Sequence, residues 1–519
     1  MPRNNLIALC AFVVCLTVFL FPAFGGSILE AAEPSVVMPT VQVGVEDFDK
    51  IPEQLTPAEE AEIDRMVLPL PKNWTGDFDG IRQRNYLRIL VPYSKTFYRV
   101  DRGIQQGIDY DYGKALETWL KKKYPPKVKS QPFFVAFIPV QRDQLLPDLI
   151  AGKGDIAMGG LTVTDQRLAL VDFTTPFADG VREALVTVPG FPEVTNLEGL
   201  AGKEIMVRGS SSYYEHLTAI NEHLEAQRLP SISIIKADEW LESEDLLEMV
   251  NAGLIRATVV DRYLVQIWAP LFTEMQVNDS VYINKGGDLA WAIRKNSPQL
   301  KSVLADFMKE HRVGTTFGNI MVKRHVRDNK RILNATSEEE LLKFRKLVDL
   351  FRQHGINYNF DYLMLVAQGY QESMLNQKAR SHRGAVGIMQ LLPATAADPA
   401  INIRDIDKDA GKNIEAGAKY LRLLTDKYLN DAQLDPVNKT LMAFAAYNAG
   451  PGNLRKFRRL AEKSGNNPNI WFQNVEYAAA RIVGEETVKY VANIYKYYVA
   501  YKLALQMRES RNGQVEQGH

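Results

Sequence analysis

The chain has 519 residues, 46% of them apolar and 24% charged, which is ordinary globular usage and excludes wholesale disorder, a collagen-like repeat and a pure coiled coil. At ~150 residues per domain, such a length sets an expectation of about three domains. The 62 Lys and Arg balance the 62 Asp and Glu, so the basic footprint of a nucleic-acid binder is absent and no nucleic-acid partner is expected.

The first segment bears on the compartment. Arg3 is followed by an almost wholly apolar run from Leu6 to Phe24, and no charge occurs between Asn4 and Leu29. Small residues, Ala23 and Gly25, then flank Phe24 as they would at a cleavage site. Residues 1–26 therefore read as a secretory signal peptide or, uncleaved, as a membrane anchor. The two cysteines, Cys10 and Cys15, both lie inside this segment and follow Leu9 and Val14, not the small residue that precedes a lipidated cysteine. Once cleaved, the chain has no thiol for disulfides, catalysis or metal binding.

Residues 27–84 are rich in Pro, Glu and Asp, carry one short helical pattern at Pro57–Ile63, and read as a linker or adaptor. From Leu87 the texture changes. Strand candidates at Leu87–Val91, Phe133–Ile138, Asp155–Gly160, Glu204–Val207 and Ala257–Val260 alternate with helical stretches, and a helix at Pro298–His311 closes the series. This alternation predicts an α/β domain with largely parallel sheets over residues 85–311. Residues 312–336, basic and polar at His325–Asn334, read as a second linker. An all-helical pattern then fills 337–505, with a polar tail at 506–519. Ser337 and Glu340 have capping-box spacing, and Leu341, Phe344, Val348 and Phe351 share one helix face. Further helices are expected at Phe360–Tyr370, Asn413–Tyr428, Thr440–Tyr447 and Val488–Leu505. No internal repeat is visible.

Within the α/β region, Gly107-Ile108-Asp109-Tyr110-Asp111 precedes Leu161-Thr162-Val163-Thr164-Asp165-Gln166-Arg167, then Asp172-Phe173-Thr174-Thr175-Pro176-Phe177. Leu200-Ala201-Gly202-Lys203 and Gly209-Ser210-Ser211 follow. A guanidinium offers a planar fork to a carboxylate, and hydroxyls add donors. This order resembles the amino-acid-type extracellular solute-binding domain, a two-lobed, periplasmic-binding-protein-like α/β fold. The resemblance implies that Arg167, with Thr162 and Thr164, receives a ligand carboxylate. It also implies that Asp261 receives the amine of a small zwitterionic ligand such as an amino acid or muropeptide. Asp155 reads as structural. The chain is expected to cross between the lobes near Val181–Val188 and Val281–Leu289.

The helical region carries Gln371-Glu372-Ser373, Gly384-Ala385-Val386-Gly387-Ile388-Met389-Gln390, Asn413 with Gly417 and Tyr420, Ala446-Tyr447-Asn448-Ala449-Gly450, and Glu486 with Tyr490. The order of these motifs resembles the soluble-lytic-transglycosylase type of the lysozyme-like, all-α-dominated fold. Glycoside cleavage, which the resemblance implies, needs a proton for the departing oxygen, and a carboxyl in an apolar pocket holds one near neutral pH. Ordinary glycosidases add a second carboxylate, and none is obvious within these motifs. The resemblance implies that Glu372 acts as acid and then base, that Tyr490 hydrogen-bonds it, and that Ser373, Met389, Gln390, Tyr447 and Asn448 line a sugar cleft. No cofactor is implied. Asp405-x-Asp407-x-Asp409 starts like a calcium loop, but Ala410 and Ala416 stand where Gly and Glu belong, so no metal is expected.

The two-domain order resembles that of the membrane-bound lytic murein transglycosylases. It implies a periplasmic enzyme acting on peptidoglycan and associated with the outer membrane. Two rivals remain open: a muramidase-type hydrolase, and a solute receptor whose helical domain only binds the cell wall.

Overall fold

The protein, a computed structural model, is described at residues 54–67, 73–125, 132–318, 335, 337–431 and 433–516, with side chains to residue 506. The expected signal peptide or anchor and most of the linker at 312–336 lie outside these residues. Among the described residues no helix is long and apolar enough to cross a membrane.

The α/β region resolves into two lobes. The first holds β1 (Tyr86–Pro92), a hairpin of β2 (Arg99–Asp101) and β3 (Ile104–Gln106), β4 (Phe134–Val140), β5 (Ile156–Ala157) and β6 (Asp172–Phe173). Next come β7 (Ala178–Thr187), β8 (Glu204–Arg208), β9 (Ser233–Ala237), β10 (Ala257–Asp261), β11 (Gln276–Leu289) and β12 (Ala292–Ile293). One sheet runs β4-β1-β5-β12-β6 and the other β11-β7-β10-β8-β9. β1 is buried from Leu87 to Pro92, as a strand covered on both faces must be.

The sheets are mixed rather than largely parallel, because the chain enters the second lobe along β7 and returns along β11. These two strands pair antiparallel, from Gln276 opposite Thr187 to Leu289 opposite Ala178, with several register breaks. They form a bulged ribbon at both crossings, where the sequence placed them.

Residues 73–84 pack onto the first lobe. Phe78 and Ile81 are buried, and the Asp77 carboxylate accepts the N–H groups of Gln299 and Leu300, each at 2.9 Å. Below them, the fully buried Asp155 accepts the Arg88 N–H at 2.9 Å and pairs with the Arg88 guanidinium at 2.9 Å, with Arg84, and with Arg294 at 3.6 Å. The helix Pro57–Met66 instead straps onto the helix Pro451–Lys463: Lys463 reaches Asp64 at 2.5 Å and Glu60 at 2.6 Å.

The helical region centres on Tyr362–Ser373, in which every residue from Leu363 onward is buried, as a helix surrounded by others requires. Glu338–Tyr358 and the C-terminal helix Glu485–Glu516 lie against it. Ser337 accepts the Glu340 N–H, but the Glu340 carboxylate pairs with Lys343 at 2.8 Å, so half of the expected capping box forms.

The two regions meet over a polar and aromatic interface. Trp240 stacks on Phe472 with ring centres 5.1 Å apart, and the Tyr495 hydroxyl donates to Asp238. Lys496 of the C-terminal helix is fully buried, 2.6 Å from Asp245 and 2.8 Å from Glu248 on the second-lobe helix Ser243–Asn251. Lys95 of the first lobe shares the same carboxylates at 3.1 and 2.8 Å. Glu485, at the start of the C-terminal helix, pairs with Arg99 at 3.4 Å.

Candidate active site

Glu372 occupies the last turn of Tyr362–Ser373 and is buried. One carboxyl oxygen accepts a hydrogen bond from the Tyr490 hydroxyl at 2.6 Å, and the other is buried without a partner. Burial pushes the Glu372 carboxyl up to about 8, outweighing the Tyr490 hydrogen bond, which pulls in the opposite direction. Among the described residues no other carboxylate contributes to that shift. Gln368, one helical turn earlier, donates to the Tyr490 oxygen at 3.2 Å and orients it. Sequence reasoning missed Gln368, although a polar residue four positions before Glu372 in an apolar helix is a visible mark.

The turn Gly387–Gln390 abuts this helix. Gly387 has φ +78°, and a Cβ there would lie 2.2 Å from the Asn413 side chain. That side chain accepts the Met389 N–H at 2.8 Å and donates to the Val386 carbonyl at 2.9 Å. Gly417 lets its helix pass flush against Met389, where a Cβ would sit 2.7 Å from Cγ. Asn413, quoted in the motif without a role, is thus what shapes the turn.

The residues expected to line a sugar cleft are all buried, and all but Asn448 belong to this turn or bond to it. Ser373 donates to the Ile388 carbonyl at 2.9 Å, and Gln390 to the Gly387 carbonyl at 2.8 Å. Tyr447 donates to the Met389 carbonyl at 2.7 Å. Asn448 accepts from Thr487 at 2.7 Å. These bonds hold the helix Tyr362–Ser373, the turn and the C-terminal helix in register. Tyr490→Phe is expected to slow turnover by roughly 5–30-fold, the loss of one hydrogen bond worth ~1–2 kcal/mol. Because Tyr490 favours the ionised form, its loss moves the alkaline limb of the pH–rate profile upward. An unmoved limb contradicts the contact.

In the α/β region, Thr162, Arg167 and Asp261 line one cavity of about 250 Å³ between the lobes. Arg167 spans them, donating to the Thr162 carbonyl and to the Ser210 carbonyl, each at 2.9 Å. Burial and the nearby Glu183 push the Asp261 carboxyl well above its ordinary range. Ser212 donates to Glu183 at 2.8 Å, and its oxygen lies 3.2 Å from the Thr162 hydroxyl, from which it can accept. Thr164 does not line this cavity. It is the N-cap of Asp165–Leu170 and accepts the Arg167 N–H, so the three-residue spacing in Thr164-x-x-Arg167 is a capping spacing. Arg142, Arg208, Tyr213 and Tyr263 also line the cavity and were not anticipated. Arg142 pairs with Glu242 at 2.5 Å across the lobes.

Asp409 is the N-cap of Ala410–Tyr428, accepting the Lys412 N–H at 2.9 Å. Asp405 pairs with Lys408 and Asp407 with Arg380.

Two families match the sequence: "Bacterial extracellular solute-binding proteins, family 3" over residues 90–323, and "Transglycosylase SLT domain" over 349–470. A membrane-bound lytic murein transglycosylase F of Desulfosudis oleivorans is 28% identical over 438 residues, 80% of this chain and 90% of the relative. One from Aeromonas salmonicida is 28% identical over 447 residues, 82% of this chain and 84% of the relative. Among solved structures, an ancestral arginine-binding protein bound to arginine matches with TM-score 0.38 and 21% identity, covering 46% of this chain and 98% of that one. Over most of its length this chain is a relative of the membrane-bound lytic murein transglycosylases, built from a family 3 solute-binding domain followed by a transglycosylase SLT domain.

Proposed function

We propose that this peptidoglycan lytic transglycosylase cleaves the β-1,4 bond between N-acetylmuramic acid and N-acetylglucosamine with a single carboxyl, Glu372. The observation that carries the reading is that Glu372 is buried with the Tyr490 hydroxyl on one carboxyl oxygen and no partner among the described residues on the other, and that burial pushes this carboxyl up to about 8. Glu372 gives its proton to the departing glycosidic oxygen as the bond to the muramyl C1 breaks. The resulting carboxylate takes the proton of the muramyl 6-hydroxyl, whose oxygen closes on C1. The product is a 1,6-anhydromuramyl end, no water is consumed, and Glu372 is again protonated. Ser373, Met389, Gln390, Tyr447 and Asn448 border the glycan cleft and set its wall. A hydrolase adds one water per cut. Mass spectrometry of digested sacculi is expected to give anhydro ends, each one water lighter than a reducing end; reducing ends alone would sink the reading. A peptidoglycan substrate supports a periplasmic enzyme, and the names of the membrane-bound relatives support its association with the membrane.

The second part of the reading concerns the cleft between the lobes. Arg167 and Asp261 offer a cation and a buried carboxyl to a small zwitterion, whose ammonium would draw the Asp261 proton off. The route from this cleft to catalysis is the helix Glu485–Glu516, which carries Tyr490 against Glu372 and Lys496 against the second lobe. A ligand that changes how the lobes hold Lys95 and Lys496 changes the setting of Tyr490. Coupling of this kind is typically worth ~1–3 kcal/mol. Calorimetry with free amino acids and muropeptides is expected to find a binder, and Arg167→Ala to lose it. Binding undiminished in Arg167→Ala would leave the domain a scaffold.

A further inference from the structure

Between the first lobe and the helices Pro451–Lys463 and Glu476–Ile482 lies a groove of about 630 Å³ that the catalytic reading does not use. Its volume falls within the ~300–1,000 Å³ of small-molecule sites. Gln141 and Gln144 stand on one wall, Asn466, Asn474 and Tyr477 on the other.

Gln473 lines both this groove and a smaller cavity beside the C-terminal helix. It is only 3% exposed, yet neither atom of its side-chain amide has a hydrogen-bond partner. Its backbone, at φ +56°, lies in the left-handed region that residues with a Cβ avoid. The Glu476 carboxylate accepts its N–H at 2.9 Å and pins it there, at an interruption in helical geometry. A buried amide that forgoes every bond, held in a costly conformation, is the mark of a group kept for a ligand.

The groove's charges select the ligand class. Lys463 is paired with Asp64 and Glu60, Lys153 with Asp148 at 2.7 Å, and Arg481 donates to the Met66 carbonyl. The Asn474 amide is held by Asn467 and Phe472 and the Gln144 amide by Asp143, so with these cations engaged what the walls offer is the carboxamides of Gln141, Asn466 and Gln473, which both donate and accept, beside a phenol ring. Hydroxyl and acetamido groups match that set, and an anion does not. We propose that this groove is a second glycan site, which takes a short N-acetylated amino-sugar strand and satisfies the Gln473 amide. The proposal rests on the transglycosylase reading for the source of such a strand. It gives the enzyme a hold on glycan that is independent of Glu372.

The test is calorimetric titration of tetra-N-acetylchitotetraose into the full chain carrying Glu372→Gln, which leaves the sugar uncut. Two binding events are expected, and adding Gln473→Leu removes one. Asn466→Ala, on the rim, weakens that same event by about tenfold, as the loss of one hydrogen bond does. It also guards against a Gln473→Leu loss that reflects misfolding. A single event untouched by either substitution overturns the groove site and leaves the catalytic reading standing. Wild-type cutting of sacculi into reducing ends alone overturns the catalytic reading, whatever the groove binds.

Discussion

Glu372→Gln is expected to lower turnover on peptidoglycan by at least ~10²–10⁴-fold, the value of general acid–base catalysis, with the fold retained. Gln keeps the shape and still accepts from Tyr490, but it can neither give nor take the catalytic proton. Retained activity within about tenfold of wild type would contradict the role. The wild-type rate should fall as pH rises through about 8, where Glu372 loses its proton. The same shift acts on stability, with a definite sign. The carboxyl is held at about 8 in the folded chain against an ordinary 4.5. Between those values the folded state binds the extra proton. Stability is therefore full below about 4.5 and falls as pH rises toward 8. Glu476, buried and also pushed up to about 8, adds to that fall in both proteins. Their difference isolates Glu372: the variant should melt with the wild type in acid and increasingly above it on the alkaline side. A constant difference across pH would refute the shift.

Asp155→Ala is expected to destabilise the first lobe by roughly 3–5 kcal/mol, because it strips the partner from buried cations. Asp155 is the common acceptor for Arg84, Arg88 and Arg294, and Arg88 is fully buried. Its loss also orphans the Arg88 N–H, which it accepts at 2.9 Å. Removing one partner of such a set costs far more than the intact set contributes, since the remaining charges stay out of water. Urea unfolding should show a lower midpoint with an unchanged slope. A loss below about 1 kcal/mol, the scale of a surface pair, would contradict this account.

The arrangement of the candidate site was legible because its parts are short contiguous segments with strict backbone demands. Gly387 needs a positive φ, Gly417 needs flush contact with Met389, and Asn413 must bridge Met389 and Val386. Each demand leaves a residue of one type at one place. The inter-lobe cavity was half legible. Arg167 and Asp261 do face one space, but Thr164 is a helix cap, and a threonine three residues before an arginine reads the same whether it accepts that residue's backbone N–H or binds a ligand. The mixed sheet order escaped because β7 and β11 pair across some 90 residues with irregular register. Lys496 escaped for a similar reason. On its own helix it is one cation among several, and only the carboxylates some 250 residues earlier mark it as buried.

That buried lysine constrains how such an enzyme can be rebuilt. Lys496 is neutralised by Asp245 and Glu248, and Phe472 is covered by Trp240, all supplied by the solute-binding domain. A catalytic domain cut free would carry an uncompensated lysine and a bared aromatic face. A foreign receptor grafted in front of it would have to bring matching acids on the equivalent helix. The two halves are therefore not interchangeable cassettes: each is completed by side chains that the other supplies.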